Sequence, residues 1–293
     1  MTFSAREASK LFTSTKLSAL ADGDFSYVTR VAQQYLGVDH ISDIKDIFNL
    51  VHKKLSQEYR SEYYFKNAIA KRHLLGKHSL STATMLSEFR VGRSKADCVI
   101  VNGKSTCYEI KSEFDTLNRL NTQLIDYLKV FDEVYVVCAN KNVASVLENS
   151  DPRVGVLVLT SKNYLSEKRT PTPRKEPIDI EILMKSLRKA EYLDIVESMG
   201  LPVPDVPNSR LQSECESLLT SVDPKKLSKA FLNVIKKTRR NDGDLIKSLP
   251  NSLVNAAISY QFSNGQINAL KRIFNNDMEK ICITPSYEAS NLN

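Results

Sequence analysis

The chain has 293 residues, of which 42% are apolar and 26% charged. This length and apolar content exclude a disordered chain and imply one to two domains with a sizeable core. The net charge of +7 suits a polyanionic partner without identifying one, because many basic proteins bind no nucleic acid.

The longest apolar runs, Val134 to Ala139 and Val154 to Leu159, are strand-sized and too short to cross a bilayer. The N-terminus lacks the basic-then-apolar pattern of a secretion signal, which points to the cytoplasm. Cys98, Cys107, Cys138, Cys215 and Cys282 form no C-x-x-C pair, and the four histidines form no H-E-x-x-H, so reduced buried thiols are expected rather than a zinc site.

In chain order, short helical segments are expected over Ala5 to Phe12 and Phe25 to Leu36, the second capped by Asp24 and ended by Gly37. From Ser42-Asp43 a longer helix repeats Ile44, Ile47, Leu50, Val51 and Leu55 at helical spacing. Another runs from about Glu58 to Leu75 and carries Glu62. From Met85 the period changes to two, and Met85 to Arg90, Ala96 to Val101 and Lys104 to Ser112 read as successive strands. A helix from Leu117 to Val130 follows, with Arg119, Gln123 and Tyr127 as a polar stripe at i, i+4, i+8. A strand over Glu133 to Ala139, a short helix and a strand over Val154 to Thr160 complete an αβββαβαβ order, which implies an α/β fold with a mixed sheet.

Residues 161–177 shift to Lys, Arg, Thr and Pro without an apolar period and read as a linker. Beyond them the pattern is helical over Ile178 to Leu187, Glu191 to Met199, Arg210 to Ser221, Pro224 to Arg240, Leu253 to Phe262 and Gln266 to Phe274, interrupted by the Pro-rich Leu201 to Pro207, and Ser286 to Asn293 has too little apolar content to order. The expected organisation is therefore an N-terminal helical region over 1–57, an α/β core over 58–160, the linker, and a helical region over 178–293.

The residues that carry chemistry lie between Ala96 and Lys111. Asn102-Gly103 separates two strands, the first opened by Asp97 and the second closed by Glu109 and Lys111, which project from one face. Two carboxylates and an ammonium on a β-ribbon can hold Mg²⁺, with Mn²⁺ as a substitute, and activate water for phosphodiester hydrolysis. Asp97, Glu109 and the Ile110 carbonyl are the expected ligands. Lys111 would orient the water and stabilise developing charge, and Glu88 would support the site. Asp43-Ile-Lys45 and Asp223-Pro-Lys225 also match acid-x-Lys, but neither follows an acid-bearing strand; a solvated salt bridge is the bland alternative. The hairpin register decides between them. A strict two-residue loop would pair Asp97 with Tyr108 and put Asp97 and Glu109 on opposite faces, so a metal site requires Val101 opposite Ser105 and Asp97 opposite Glu109.

The set Glu88, Asp97, Glu109 and Lys111 resembles the PD-(D/E)XK nuclease superfamily, and Gln123-Leu-Ile-Asp-Tyr127 is similar to the Q-x-x-x-Y motif of its RecB-like branch. Phe65-Lys-Asn67, the Glu-Phe-Arg-Val-Gly before Asp97, and Tyr108 to Ser112 resemble an uncharacterised bacterial and phage family assigned to that superfamily. The resemblance covers about Glu58 to Thr160 and departs from the superfamily's name in having Ala96 before Asp97. It implies a restriction-endonuclease-like core, Mg²⁺-dependent cleavage of DNA, a supporting role for Glu62, and substrate positioning by Gln123, Tyr127 and Arg119.

Lys66, Lys71 and Arg72 are the expected nucleic-acid contacts beside this site. The basic helix from Pro224 to Arg240 could lie along phosphates or simply expose its lysines to solvent. The C-terminal helices could also dock a protein partner or form a homodimer. The competing function is a catalytically inactive nucleic-acid- or protein-binding module of the same fold.

Overall fold

The computed structural model describes residues 3–38 and 43–275; Ser42, Cys282 and the tract from Ser286 to Asn293 lie outside the described residues. Its helices are α1 (Ala5–Ser9), α2 (Ser14–Ala21), α3 (Ser26–Val31), α4 (Ile44–Glu58), α5 (Glu62–Ile69), α6 (Leu120–Leu128), α7 (Val143–Asn149), α8 (Ile180–Ser186), α9 (Lys189–Ser198), α10 (Asn208–Leu219), α11 (Pro224–Thr238), α12 (Gly243–Ser248), α13 (Val254–Ser259) and α14 (Asn264–Phe274). The strands are β1 (Thr84–Val91), β2 (Ser94–Val101), β3 (Ser105–Lys111), β4 (Glu133–Cys138), β5 (Gly155–Leu159) and β6 (Leu165–Arg169). Helices α2 and α12 and strand β6 had no counterpart among the expected elements.

The chain divides into two compact units. The first joins residues up to 67 with those from 242 onward and is helical. Its α4 buries Ile44, Ile47, Phe48, Val51 and Leu55, and Phe48 meets Phe274 of α14 edge to face at 5.3 Å. Leu50, expected on the apolar side, is 47% exposed, and Phe48 takes its place in the core.

The second unit, Ala68–Asn241, is a mixed α/β structure built on a six-stranded sheet in the order β1-β2-β3-β4-β5-β6. The β1-β2-β3 meander is antiparallel, β3-β4 and β4-β5 are parallel, and β6 returns antiparallel to β5. Crossover helices α6 and α7 make the parallel pairings possible. One sheet face, including Val99, Val101, Cys107, Val134 and Val136, shares a core with Leu120, Leu124 and Tyr127 of α6. The same core takes in Leu183 of α8, Ile195 of α9, Leu219 of α10 and Phe231 of α11. The compact unit therefore extends to Asn241, past the boundary at 160 that loss of strand pattern suggests, because α8 to α11 complete the apolar layer over the sheet.

Two local pairings explain why residues 161–177 and 239–241 escape a pattern-based reading. Strand β6 lies in the expected linker and buries none of its residues fully at the sheet edge, so it needs no apolar period. Arg169 anchors it by donating to the Val154 carbonyl at 2.6 Å and to the Ser150 hydroxyl at 2.5 Å. At the opposite edge, the Asn241 side chain accepts from the Met85 amide at 2.8 Å and donates to the Met85 carbonyl at 2.9 Å, supplying β1 with the pair of bonds a further strand would give.

Candidate active site

Strands β2 and β3 pair Val101 with Ser105 and Cys98 with Tyr108, so the connecting loop is Asn102, Gly103 and Lys104. Gly103 adopts φ 71, a left-handed conformation open to glycine at little cost, and the Asn102 amide donates to the Lys104 carbonyl at 2.9 Å. The register is the one a shared face requires: continued by one step, it sets Asp97 opposite Glu109. The backbone ladder stops there. The Ile110 amide points toward β2, where a continued ladder would offer the Ala96 carbonyl, and it donates instead to the Asp97 carboxylate at 2.7 Å. Asp97 thereby ends the β2-β3 ladder and is held at its opening. The Ile110 carbonyl leaves β3 toward the same edge as its amide.

Glu109 is 2% exposed and Lys111 8%. Lys111 Nζ donates to Glu109 Oε1 at 2.9 Å and to Gln123 Oε1 at 3.0 Å, and the Tyr127 hydroxyl donates to Glu109 Oε2 at 2.9 Å. The expected stripe of α6 thus splits by depth: Tyr127 is fully buried, Gln123 half-buried and Arg119 exposed. Burial raises the Glu109 carboxyl above its usual range, against the opposing pull of Lys111. Burial likewise drives the Tyr127 hydroxyl up, with the Glu109 charge adding to it, so Tyr127 is a donor to the carboxylate.

Glu88 lies across β1-β2 from Asp97, between the Ser87–Cys98 and Phe89–Ala96 pairs. Its φ is 57, a conformation a glutamate adopts only with strain of about 1 kcal/mol or more. The strained residue presents its carboxylate at the surface, where Oε2 pairs with Lys95 at 2.5 Å. Carboxylate oxygens of Glu88 and Asp97 come within 4.8 Å of each other. One divalent cation could span them, since each oxygen ligand lies about 2.0 to 2.6 Å from such an ion.

The loop after Lys111 is fixed by groups that no motif marked. Asp115 accepts from the Ser112 amide and hydroxyl, both at 2.7 Å, and Asn142 donates to the Ser112 carbonyl at 2.9 Å. Helix α6 consequently begins at Leu120, with Arg119 at its cap position, rather than at Leu117.

Glu62 opens α5 in the first unit and pairs with Lys66 at 2.6 Å. Lys66, expected to contact nucleic acid, is buried, so its ammonium serves that pair. Lys71 is half-buried, and burial lowers its ammonium pKa. Arg72 lies over the Tyr164 ring at 4.6 Å. They flank His73, whose Nδ1 meets the Tyr108 hydroxyl at 3.0 Å, and Tyr108 projects from the sheet face opposite Glu109. Among the described residues, no helix is long and apolar enough to cross a membrane.

A family model described as bacteriophage P4 protein cII matches residues 55–260. Protein cII of Enterobacteria phage P4 is 31% identical over 154 residues, covering 50% of this chain and 56% of the relative; the chain thus spans about half the length of that curated relative. Among solved structures, a Silicibacter pomeroyi protein of unknown function matches at a TM-score of 0.30 with 16% identity, over 37% of this chain and 70% of that one.

Proposed function

The chain belongs to the bacteriophage P4 protein cII family, and we propose that its α/β unit is a divalent-metal-dependent nuclease that hydrolyses DNA phosphodiester bonds. The observation that supports this most is the grouping at the end of the β2-β3 ladder, where Asp97 stands opposite the buried Glu109–Lys111 pair and beside Glu88. The βββαβ order of this unit also agrees with a restriction-endonuclease-like core of the PD-(D/E)XK kind.

Glu88 and Asp97, with the Ile110 carbonyl at the same edge, would hold Mg²⁺ or Mn²⁺, and Glu109 faces them from β3. The bound ion supplies positive charge at the scissile phosphate and acidifies water. Lys111 carries its ammonium at the end of β3, where it can orient the attacking water and offset charge building on the phosphate oxygens. Gln123 and Tyr127 fix Lys111 and Glu109 in place, which is the positioning role of residues that touch the reacting groups' partners. Exposed Arg119 is suited to a backbone phosphate.

The second reading, a catalytically inactive binding module, is favoured by one feature: both Glu109 oxygens already accept hydrogen bonds, as in a purely structural buried pair. Cleavage of plasmid and single-stranded DNA with Mg²⁺, with Mn²⁺ and with chelator, beside Lys111→Ala, separates the two. The nuclease reading expects metal-dependent products that Lys111→Ala removes; intact DNA under every condition, with no metal binding, selects the module.

A further inference from the structure

A second feature of the α/β unit lies at the other end of β3. The loop residues Gly103 and Lys104 form one wall of a cleft of about 910 Å³, and α11 with the segment around Arg174 forms the others. From Lys104 to Glu109 is five strand residues, roughly 17 Å at about 3.3 Å each, so the cleft is separate from the acidic site. Its cations are Lys104, Arg174, Lys175, Lys225, Lys229 and Lys236, against the acids Asp132, Glu176 and Asp223.

Those acids are committed elsewhere. Asp132 accepts from the Ser105 amide and hydroxyl and pairs with Arg174. Asp223 caps α11 by accepting from the Lys225 and Lys226 amides, and Glu176 lies beside Arg153 at 3.8 Å. Lys104 pairs with Glu133. Lys175, Lys225, Lys229 and Lys236 make no ion pair among the described residues. The Arg174 side chain is 6% exposed, and its Nε, buried in the wall, lacks an acceptor among them.

The spacing of the free lysines indicates what they would take. Lys225, Lys229 and Lys236 share the cleft-facing side of α11, and at about 1.5 Å per residue they are strung over roughly 16 Å. Cations spread over that length suit an extended polyanion, whereas a single phosphate or nucleotide would need them to converge. The lining contains no aromatic side chain. That removes the stacking platform on which single-stranded nucleic acids are held and the aromatic anchors typical of protein interfaces.

We propose that this cleft binds the sugar–phosphate backbone of duplex DNA, without sequence preference and without metal. It is a site distinct from the acidic one and does not depend on the nuclease reading. Each phosphate neutralised in duplex DNA adds about 0.9 to the slope of log affinity against log salt.

The test is fluorescence anisotropy with the full chain, a labelled duplex of roughly 20 base pairs and EDTA, across a salt series. Combined Lys225→Ala, Lys229→Ala and Lys236→Ala should weaken binding at least ~10-fold and lower the salt slope by about 2 to 3. Single Lys229→Glu, a reversal at an exposed helix position, should weaken it by about 5-fold or more with an unchanged thermal melt. Because EDTA is present throughout, metal-dependent cleavage does not contribute, and loss of cleft binding is read by itself. Unchanged affinity and slope in the triple variant would overturn the proposal. So would saturable binding of inorganic triphosphate that the three substitutions abolish while leaving duplex binding intact.

Discussion

Asp97 and Ile110 are joined by a 2.7 Å bond from the Ile110 amide to the Asp97 carboxylate, at the point where the β2-β3 ladder ends. One side chain thus performs two tasks that substitutions can separate. Asp97→Asn retains an oxygen able to accept from Ile110 but lowers the charge available to a cation. We expect stability within about 1 kcal/mol of the parent and cleavage reduced at least ~100-fold. Asp97→Ala leaves the Ile110 amide without its acceptor and should cost about 1 to 3 kcal/mol. Urea unfolding of both variants checks the split; equal destabilisation would show that the hydrogen bond contributes nothing separable.

Glu109 and Lys111 form a buried ion pair, and removing either charge strands the other. Lys111→Met and Glu109→Gln should each destabilise by about 3 kcal/mol or more. The double variant should recover at least ~1 kcal/mol relative to the sum. Additive losses in a double-mutant cycle would mean that the two groups are not energetically paired.

Glu88 carries backbone strain at φ 57 while its side chain stays exposed, and the proposed metal site would give that strain a role. Glu88→Gly should leave stability unchanged or raise it by up to about 1 kcal/mol. Glu88→Val, β-branched in a left-handed conformation, should cost about 1 to 2 kcal/mol. Thermal melts should rank glycine above glutamate above valine, and cleavage should fall in both variants. A glycine variant clearly less stable than the parent contradicts the strain.

His73 is buried against Tyr108, and desolvation first, with Lys77 and His78 adding, lowers its pKa to about 4 from the ordinary 6.5. Below about pH 6.5 the unfolded chain takes up a proton that the folded chain refuses until about pH 4. Stability from this group is therefore complete above pH 6.5 and is lost as pH falls toward 4, by about 3 kcal/mol in all. His73→Asn can keep a polar contact to Tyr108 without titrating there. Its stability should fall less steeply over this window, and a slope identical to the parent's would place the titration elsewhere.

The sequence made the meander, both crossovers and the hairpin loop legible because strand period and Asn-Gly chemistry are local signals. A shared face for Asp97 and Glu109 required Val101 opposite Ser105, where a strict two-residue loop was the alternative, and Val101 opposite Ser105 is the register the strands adopt. What could not be read depends on distant partners. Edge strand β6 has no apolar period to betray it, and its Arg169 anchors are carbonyls of other loops. Nothing at Glu88 announces a positive φ. Tyr127 and Lys66 look like surface residues in a helical pattern, yet buried acceptors draw the first into the core and an ion pair holds the second. Phe48 displaced Leu50 because the choice of buried face rests on what packs against α4.

The proposed chemistry is tested most directly by cleavage of supercoiled plasmid under single-turnover conditions, with parent, Asp97→Asn and Lys111→Ala proteins purified identically. Nicked or linear product is expected with Mg²⁺ or Mn²⁺, none with chelator, and at least ~100-fold slower product formation in both variants. Metal-dependent cleavage at the parent's rate by Lys111→Ala and Asp97→Asn, or no cleavage by the parent, would contradict it.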